Sequence, residues 1–250
     1  MVDTHAHVEM CEGTADEVVA RAVEAGIDRI LTIGLTGDTF AETLAIAEKH
    51  EQVFAAVGWH PNETTGFNSL QAAQIAEAAR HPRVRAIGET GLDFYRDSAP
   101  PDDQRDAFIT QIEIATDYVL PVSIHARGAE AECIEILLEH GDELPAVVLH
   151  CFGDPSVLDS AIDAGFYCSF AGNATFKNAP ELREAAARVP DELILLETDA
   201  PFLAPQPVRG QRCEPAFVKM TAEVIAEARG ATYDQLAATV DQNARRVFNW

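Results

Sequence analysis

The feature that most constrains the fold is a regular alternation of short apolar runs with longer amphipathic segments along the whole chain. Each apolar run has the length and composition of a buried strand, and the segments between the runs have helical periodicity. The predicted strands are VDTHAH (2–7), RILTIGL (29–35), VFAAVGWH (53–60), VRAIGET (84–90), PVSIHA (121–126), AVVLHC (146–151), FYCSFA (166–171) and ELILLETD (192–199).

Alternating strands and helices of this kind form βα units around a parallel sheet, so the fold class is α/β. Eight repeats in 250 residues predict a (β/α)8 TIM barrel, which this length accommodates as a single domain spanning residues 1–250. Two helical segments that follow the eighth strand, 214–228 and 232–248, are expected to pack on the outside as extra C-terminal helices. A doubly wound sheet is the alternative, but neither GxGxxG nor GxxxxGK[ST] follows any predicted strand.

The charge balance limits the partners that the chain can bind. It has 41 acidic and 18 basic residues and a net charge of −23. A surface of this kind disfavours nonspecific wrapping of nucleic acid, which needs basic stripes, and it is typical of proteins from halophilic sources. The composition therefore favours the hypothesis of a salt-adapted protein.

Other whole-chain features indicate a cytoplasmic protein. The five cysteines are scattered and contain no CxxC pair, so we expect reduced thiols rather than disulfides or a zinc ribbon. No apolar stretch has the length of a signal segment or a membrane span. We therefore expect no membrane association, and no feature indicates an obligate protein partner.

The unusual polar residues all lie at or near the ends of the predicted strands. The carboxyl-terminal rim of a barrel is where active sites lie. Because side chains alternate along a strand, two histidines in the first strand share a face, as do two acids in the eighth, whereas Cys151 is expected to face away. The residues of this rim are His5, His7, His60, Glu89, His125, His150, Glu197 and Asp199.

Each of these residues has an ordinary explanation when it is taken alone. His60 precedes Pro61 and can be a turn residue, and a buried histidine can simply bond to the backbone. Glu89 is harder to explain, since a carboxylate is costly to bury without a partner. Four imidazoles and two carboxylates from different strands of one rim together predict metal ligands, namely His5, His7, Glu89, His125, His150 and Asp199.

These six donors exceed the needs of one tetrahedral ion, and a carboxylate between two histidine pairs can bridge two ions. The sequence therefore predicts a binuclear centre. Nitrogen and oxygen donors without thiolate suit Zn²⁺, Mn²⁺ or Mg²⁺. Two such ions suit displacement at phosphorus or at a carbonyl by metal-bound water, and the absence of GxSxG and of a Cys/His dyad agrees with that chemistry.

Longer motifs carry a family resemblance. The stretches DTHAH (3–7), GWHP (58–61), IGETGLDFYR (87–96), LPVSIHAR (120–127) and LLETDAPFLAP (195–205) resemble those of TatD-family metal-dependent deoxyribonucleases, within the wider amidohydrolase-like barrels. The matching stretches run through nearly the whole chain. The resemblance implies a barrel with two divalent metal ions that hydrolyses phosphodiester bonds in DNA as a 3′-5′ exodeoxyribonuclease, with single strands or 3′ ends as substrate.

The resemblance also implies roles for the six ligands. They form two sets joined by a bridging carboxylate: His5, His7 and Asp199 for the first metal, Glu89 as the bridge, and His125 with His150 for the second. Asp199 is in addition the candidate general base, which makes Asp199 and Glu89 the expected catalytic residues.

Four further residues are implied as substrate contacts. Glu197 and His60 are candidates for a third, weakly bound ion or for the substrate phosphate, and Arg127 and Arg209 are candidates for phosphate contacts because guanidinium groups fit phosphate oxygens. An acidic protein can then hold a phosphate through metal ions and a few arginines.

The chain departs from the family pattern at two places. Asn62 stands where the family often has a second histidine after HP, and Cys213 stands in RCEP where the family often has RNEP. Neither position is a core ligand, so the departures bear on nucleotide contacts and on preferred substrate length.

Two other functions stay open at this point. The first is an amidohydrolase acting on an amide, lactone or phosphotriester with the same metals. Many such barrels use a carbamylated lysine at the end of the fourth strand, whereas this chain has Glu89 there and no lysine in any predicted strand. The second is a noncatalytic metal-binding scaffold, which the complete ligand set disfavours.

Overall fold

The computed structural model describes residues 1–250 and contains one sheet of eight parallel strands that pair in chain order. The predicted (β/α)8 barrel is confirmed. All strands except β4 are short, and most strand residues are buried, as expected of strands that have helices on one side and the barrel interior on the other. The strands are β1 (Val2–Ala6), β2 (Arg29–Gly34), β3 (Val53–Val57), β4 (Val84–Asp93), β5 (Val122–Arg127), β6 (Val147–Leu149), β7 (Tyr167–Phe170) and β8 (Ile194–Leu196).

Helices alternate with the strands and surround them. Their starts follow local rules: Thr14, for example, accepts a hydrogen bond from the backbone of Glu17, whose carboxylate accepts one in return. The helices are α1 (Ala15–Glu24), α2 (Gly37–Lys49), α3 (Ser69–Ala79), α4 (Pro101–Tyr118), α5 (Glu130–His140), α6 (Leu158–Asp163), α7 (Pro180–Arg188), α8 (Val218–Arg229) and α9 (Tyr233–Phe248).

The last two helices lie on the outside, where they were predicted. α8 packs against α7 and the short 3-10 helix at 172–175, whereas α9 packs on β8 and β1 and buries Leu236, Val240 and Phe248. α9 therefore covers the barrel as the earlier helices do. No helix combines the length and apolar character that a membrane span requires.

The barrel closes between its first and last strands through the segment that follows β8. The backbone N–H of Asp199 donates to His5 O at 3.0 Å, and that of His7 donates to Ala200 O at 2.7 Å. Ala6 and Ala200 form an isolated parallel bridge at the same seam. Residues 197–200 are thereby held beside the two histidines of β1.

Several strand ends differ from the prediction, and the differences change which side chains face the barrel interior. β3 ends at Val57, so His60 lies beyond the strand and caps a short 3-10 helix at 61–63. β8 ends at Leu196, and Asp199 has a φ of 54°, so strand alternation does not govern the two acids after it. β6 likewise ends at Leu149, before Cys151.

The core is one cluster of 67 buried hydrophobic residues. Polar residues are also buried, and they concentrate on the strands and strand ends: Asp3, His5 and Glu197 are each 0% exposed. Burial of such groups is unfavourable unless they are paired, bonded or bound to a metal ion. This concentration marks the carboxyl-terminal end of the barrel as the functional end.

Candidate metal centre

Glu89, on β4, lies at the centre of the polar cluster. Its Oε2 is 3.4 Å from Nε2 of His5 and 3.8 Å from Nε2 of His7, both on or directly after β1. Nε2 of His7 in turn lies 3.6 Å from Oδ1 of Asp199. One oxygen of Glu89 therefore faces the group formed by the β1 histidines and Asp199.

The other oxygen of Glu89 faces a second set of imidazoles. Oε1 is 2.5 Å from Nδ1 of His125, 2.9 Å from Nε2 of His150 and 3.5 Å from Nε2 of His60. A carboxylate with one oxygen directed to each of two imidazole sets has the arrangement that a bridging ligand requires.

Three groups of side chains have donor atoms within 4.8 Å of one another and can hold a metal ion: His5, Glu89 and His150; His5, His7 and Asp199; His60, Glu89 and His125. The structure thus brings all six predicted ligands together. It also places His60 in one of these groups, next to Glu89 and His125, so His60 is a candidate metal ligand as well as a candidate substrate contact.

The donors fit a divalent cation. Nε2 of His5, Nδ1 of His7 and Oε2 of Glu197 are buried and have no hydrogen-bond partner. A buried polar atom without a partner costs about 1–3 kcal/mol, and of these three atoms Nε2 of His5 is the one that faces Glu89, so it is the one that a bound cation would satisfy. Imidazole nitrogens and carboxylate oxygens suit Zn²⁺ and Mn²⁺ best, and Mg²⁺ less well.

The charges of the cluster favour cation binding. Burial raises the pKa of Glu89, but the positive charges of His150, His60 and His125 outweigh it and hold the pKa well below its ordinary value. Burial lowers the pKa of His150, but Glu89 and Glu197 raise it well above its ordinary value. The central carboxylate is therefore ionised, and its charge is balanced by protons that a metal ion can displace.

Glu197 orients one of the candidate ligands. Its Oε1 lies 3.0 Å from Nδ1 of His150 and accepts a hydrogen bond of 2.7 Å from the backbone N–H of Cys151. This contact directs Nε2 of His150 towards Glu89. Glu197, which the sequence suggested for a third ion or for substrate, is buried behind His150 and does not line the cavity.

Asp93 is a residue of the site that the sequence analysis missed. Its Oδ2 lies 3.3 Å from Nε2 of His125 and accepts from Asn62 Nδ2 at 3.1 Å. Its Oδ1 accepts from the backbone N–H groups of Tyr95 and Arg96. Asp93 therefore fixes the ring of His125. The sequence feature that could have indicated Asp93 is its position in GLDFYR, four residues after Glu89. The fourth strand runs to residue 93 rather than 90, so Asp93 still belongs to it.

Asp3 is a second residue that was missed. Its Oδ1 accepts from the backbone N–H of Thr198 at 2.9 Å, and its Oδ2 accepts from the Thr198 hydroxyl at 2.6 Å. Burial raises the pKa of Asp3 to about 8. These contacts connect β1 to the segment that carries Asp199. Asp3 is the first residue of the DTHAH motif, which is the sequence feature that could have indicated it.

A cavity of about 650 Å³ opens over this cluster. Arg127 lines it, and its guanidinium lies 3.9 Å from the centre of the Tyr95 ring. Arg209 does not line it, because its guanidinium rests 4.1 Å from the ring of Phe176. The expectation that Cys151 faces away is wrong: Cys151 lines the cavity, since β6 has already ended and its φ is 45°.

A (β/α)8 barrel with histidines and carboxylates gathered at its carboxyl-terminal end has the architecture of a metal-dependent hydrolase barrel. Within that class the chain belongs to the TatD related DNase family, whose model matches residues 2–249. The family that the motifs indicated is therefore confirmed.

Individual relatives cover nearly the whole chain. It is 38% identical over 251 residues to the uncharacterized metal-dependent hydrolase YabD of Bacillus subtilis, with 99% of this chain and 98% of the relative covered. It is 36% identical over 240 residues to the 3′-5′ ssDNA/RNA exonuclease TatD of Dickeya dadantii, with 93% and 91% covered. The crystal structure of the TatD homologue YJJV from Escherichia coli superposes with a TM-score of 0.94 at 29% identity, with 100% and 98% covered.

Proposed function

We propose that this chain is a divalent-metal-dependent nuclease that hydrolyses phosphodiester bonds in DNA, acting on single strands from their 3′ ends. The observation that carries the proposal is the position of Glu89, which directs one oxygen to each of two imidazole sets at the floor of the cavity. The similarity to a relative named as a 3′-5′ ssDNA/RNA exonuclease supports the choice of substrate.

Two divalent ions would be held on the two sides of Glu89. His5, His7 and Asp199 would hold one, and His125 and His150 would hold the other, with Glu89 shared between them. When bound, Zn²⁺, Mn²⁺ or Mg²⁺ supplies positive charge to the phosphate oxygens and acidifies water. His60 would contribute to the second position or to a third, weaker ion, and Glu197 would act through His150.

Asp199 is the proposed general base. Its carboxylate lines the cavity beside His7. Burial raises its pKa, but the nearby imidazole of His7 and the charges of His150 and His5 hold the pKa below its ordinary value. The carboxylate is therefore ionised at neutral pH and can orient the attacking water and accept its proton.

Arg127 is the proposed phosphate contact at the cavity mouth, because its charge is directed into a cavity rather than paired with a carboxylate. Arg209 lies outside the cavity, so Arg209 could contact the substrate only if the DNA strand extended beyond the cavity.

We further propose that residues 1–250 form one domain, since a single hydrophobic cluster spans the chain. The five free cysteines support a cytoplasmic location, and the net charge of −23 supports adaptation to high salt.

A 5′-labelled single strand of DNA, a matching RNA strand and a panel of amide and lactone substrates, each with Mn²⁺ and with chelator, test the proposal. We expect Mn²⁺-dependent shortening of DNA from the 3′ end, abolished in Glu89→Ala and Asp199→Ala variants whose circular dichroism is unchanged. The matched control is Glu130→Ala, because Glu130 lines the same cavity but belongs to no candidate ligand group.

Cleavage of amides or lactones alone would favour an amidohydrolase, and no turnover on any substrate would favour a noncatalytic scaffold. Near-normal cleavage of DNA by Glu89→Ala would contradict the assigned role of Glu89.

A further inference from the structure

The mouth of the cavity has two chemically different sides. Because the strands follow one another in order around the barrel, the segments after β8 and β1 lie across the mouth from those after β4 and β5. The first side presents the apolar side chains of Met10, Phe202 and Leu203, and the second presents Arg96 and Arg127.

Phe202 is an exposed aromatic ring on a fixed backbone. It is 49% exposed, and only Phe202 and Tyr95 among the aromatic residues of the chain are exposed. The N–H of Phe202 donates to Asp199 O at 2.9 Å, and the preceding carbonyl, of Pro201, accepts from Cys213 N at 3.1 Å. The ring centre lies 6.1 Å from that of His7, in an edge-on arrangement.

The apolar surface continues beyond Phe202, since Met10 is 39% exposed beside the same cavity. The face of Tyr95 is already covered by the guanidinium of Arg127, whereas no cation lies over Phe202. An open aromatic face adjacent to the candidate metal ligands is a surface on which a planar, uncharged ring can stack.

The opposite side has cationic groups without partners. Six other arginines of this acidic chain pair with carboxylates, as Arg21 does with Glu214, and others donate to backbone carbonyls, as Arg183 does to Ala174. The guanidinium of Arg96 makes no hydrogen bond or ion pair, and that of Arg127 contacts only the Tyr95 ring, although Glu130 lines the same cavity. Unpaired guanidinium groups beside a cavity suit phosphate oxygens.

We propose that Phe202 forms a stacking site for the base of the 3′-terminal nucleotide, and that Arg96 and Arg127 contact the upstream phosphates of a strand that leaves on the opposite side. The inference rests on the proposed nuclease function and specifies how its substrate lies in the cavity. Stacking tolerates every base because each has a π face, so the site distinguishes a base from no base and not one sequence from another.

The test compares two single strands that are identical except that the 3′-terminal nucleotide of one lacks its base. Binding is measured with Mn²⁺ present, by anisotropy of a 5′ fluorophore, and a phosphorothioate at the terminal linkage slows cleavage. Stacking of one base predicts that the chain binds the complete strand about 5- to 150-fold more tightly than the abasic strand.

Variants assign this preference to a residue. Phe202→Ala is expected to bind both strands equally, and Phe202→Trp to keep the preference. Leu138→Ala is the matched control, because Leu138 is 60% exposed near the end of α5, away from the cavity. Arg96→Gln and Arg127→Gln are expected to weaken binding of both strands by the same factor.

The inference is overturned if the wild-type chain shows no preference for the complete strand, if Phe202→Ala keeps the preference, or if an arginine variant loses it instead. Cleavage of the same strands without phosphorothioate is measured in parallel. If the wild-type preference is lost in Phe202→Ala but no strand is shortened, the proposed nuclease function is contradicted and the stacking site is supported. If strands are shortened but the wild-type chain shows no preference, the nuclease function is supported and the stacking site is contradicted.

Discussion

Replacement of Glu89 by glutamine keeps the shape of the side chain and removes its charge. In the wild-type chain the Glu89 carboxylate oxygens lie within 3.8 Å of five imidazole nitrogens, and Glu89 belongs to two of the three candidate ligand groups. Loss of a group that only orients a ligand lowers metal affinity by about 10- to 100-fold, so loss of a shared ligand lowers it by at least about 100-fold. That factor corresponds to about 2.7 kcal/mol of binding free energy.

The effect on stability follows from linkage between binding and folding. Mn²⁺ at a concentration of about 100 times its Kd stabilises the wild-type fold by about 2.7 kcal/mol. For a domain of this length that raises the melting temperature by about 5–11 °C. In Glu89→Gln the same concentration equals the weakened Kd, which leaves about 0.4 kcal/mol of stabilisation and a rise of about 1 °C.

The assay is thermal unfolding followed by circular dichroism, in chelator and in Mn²⁺, at a concentration set by calorimetric titration of the wild-type chain. Glu130→Gln is the control, because it makes the same chemical change in the lining of the same cavity. An undiminished Mn²⁺-induced rise in Glu89→Gln, or an equal loss in Glu130→Gln, would refute the assignment of Glu89 as the shared ligand.

Three further outcomes are expected. Cys151→Ser should cleave DNA within about twofold of the wild-type rate, because burial and the nearby Asp199 raise the pKa of the thiol and keep it neutral; a loss approaching the 10²-fold typical of a catalytic group would contradict this. Arg127→Gln should reduce the slope of log binding constant against log salt by about 1, whereas Arg188→Gln should not; an unchanged slope in Arg127→Gln would exclude a phosphate contact. Acidification from about pH 7.5 to pH 5.5 should weaken Mn²⁺ binding measured by calorimetry, because metal and protons compete for the imidazoles; constant affinity would argue against histidine ligands.

The barrel was predictable because all of its strands are short apolar runs between helical patterns, and this periodicity is local. Strand ends were less predictable, since they depend on pairing with neighbouring strands. β8 stops at Leu196, and the left-handed conformation of Asp199 is set by contacts at the seam with β1 rather than by local sequence preference. Cys151 was misplaced for the same reason, because alternation was applied beyond the end of β6.

The predicted ligands meet because they are titratable groups at or near the carboxyl ends of the strands, and burial of such groups requires partners. The residues that orient them were not evident from sequence. Asp93 lies in an extension of β4, and Asp3 acts through Thr198, which is 195 positions away in the chain. Arg209 follows the eighth strand as expected, but its position against Phe176 depends on how two distant loops pack.

The most direct test of a metal centre organised by Glu89 is anomalous diffraction from crystals of the full chain soaked in Mn²⁺ or Zn²⁺. We predict two anomalous peaks at the floor of the cavity, one on each side of the Glu89 carboxylate, with the imidazoles of His5 and His7 at one peak and that of His125 at the other. Crystals that bind the ion only at surface carboxylates, with no peak beside Glu89, would contradict the account.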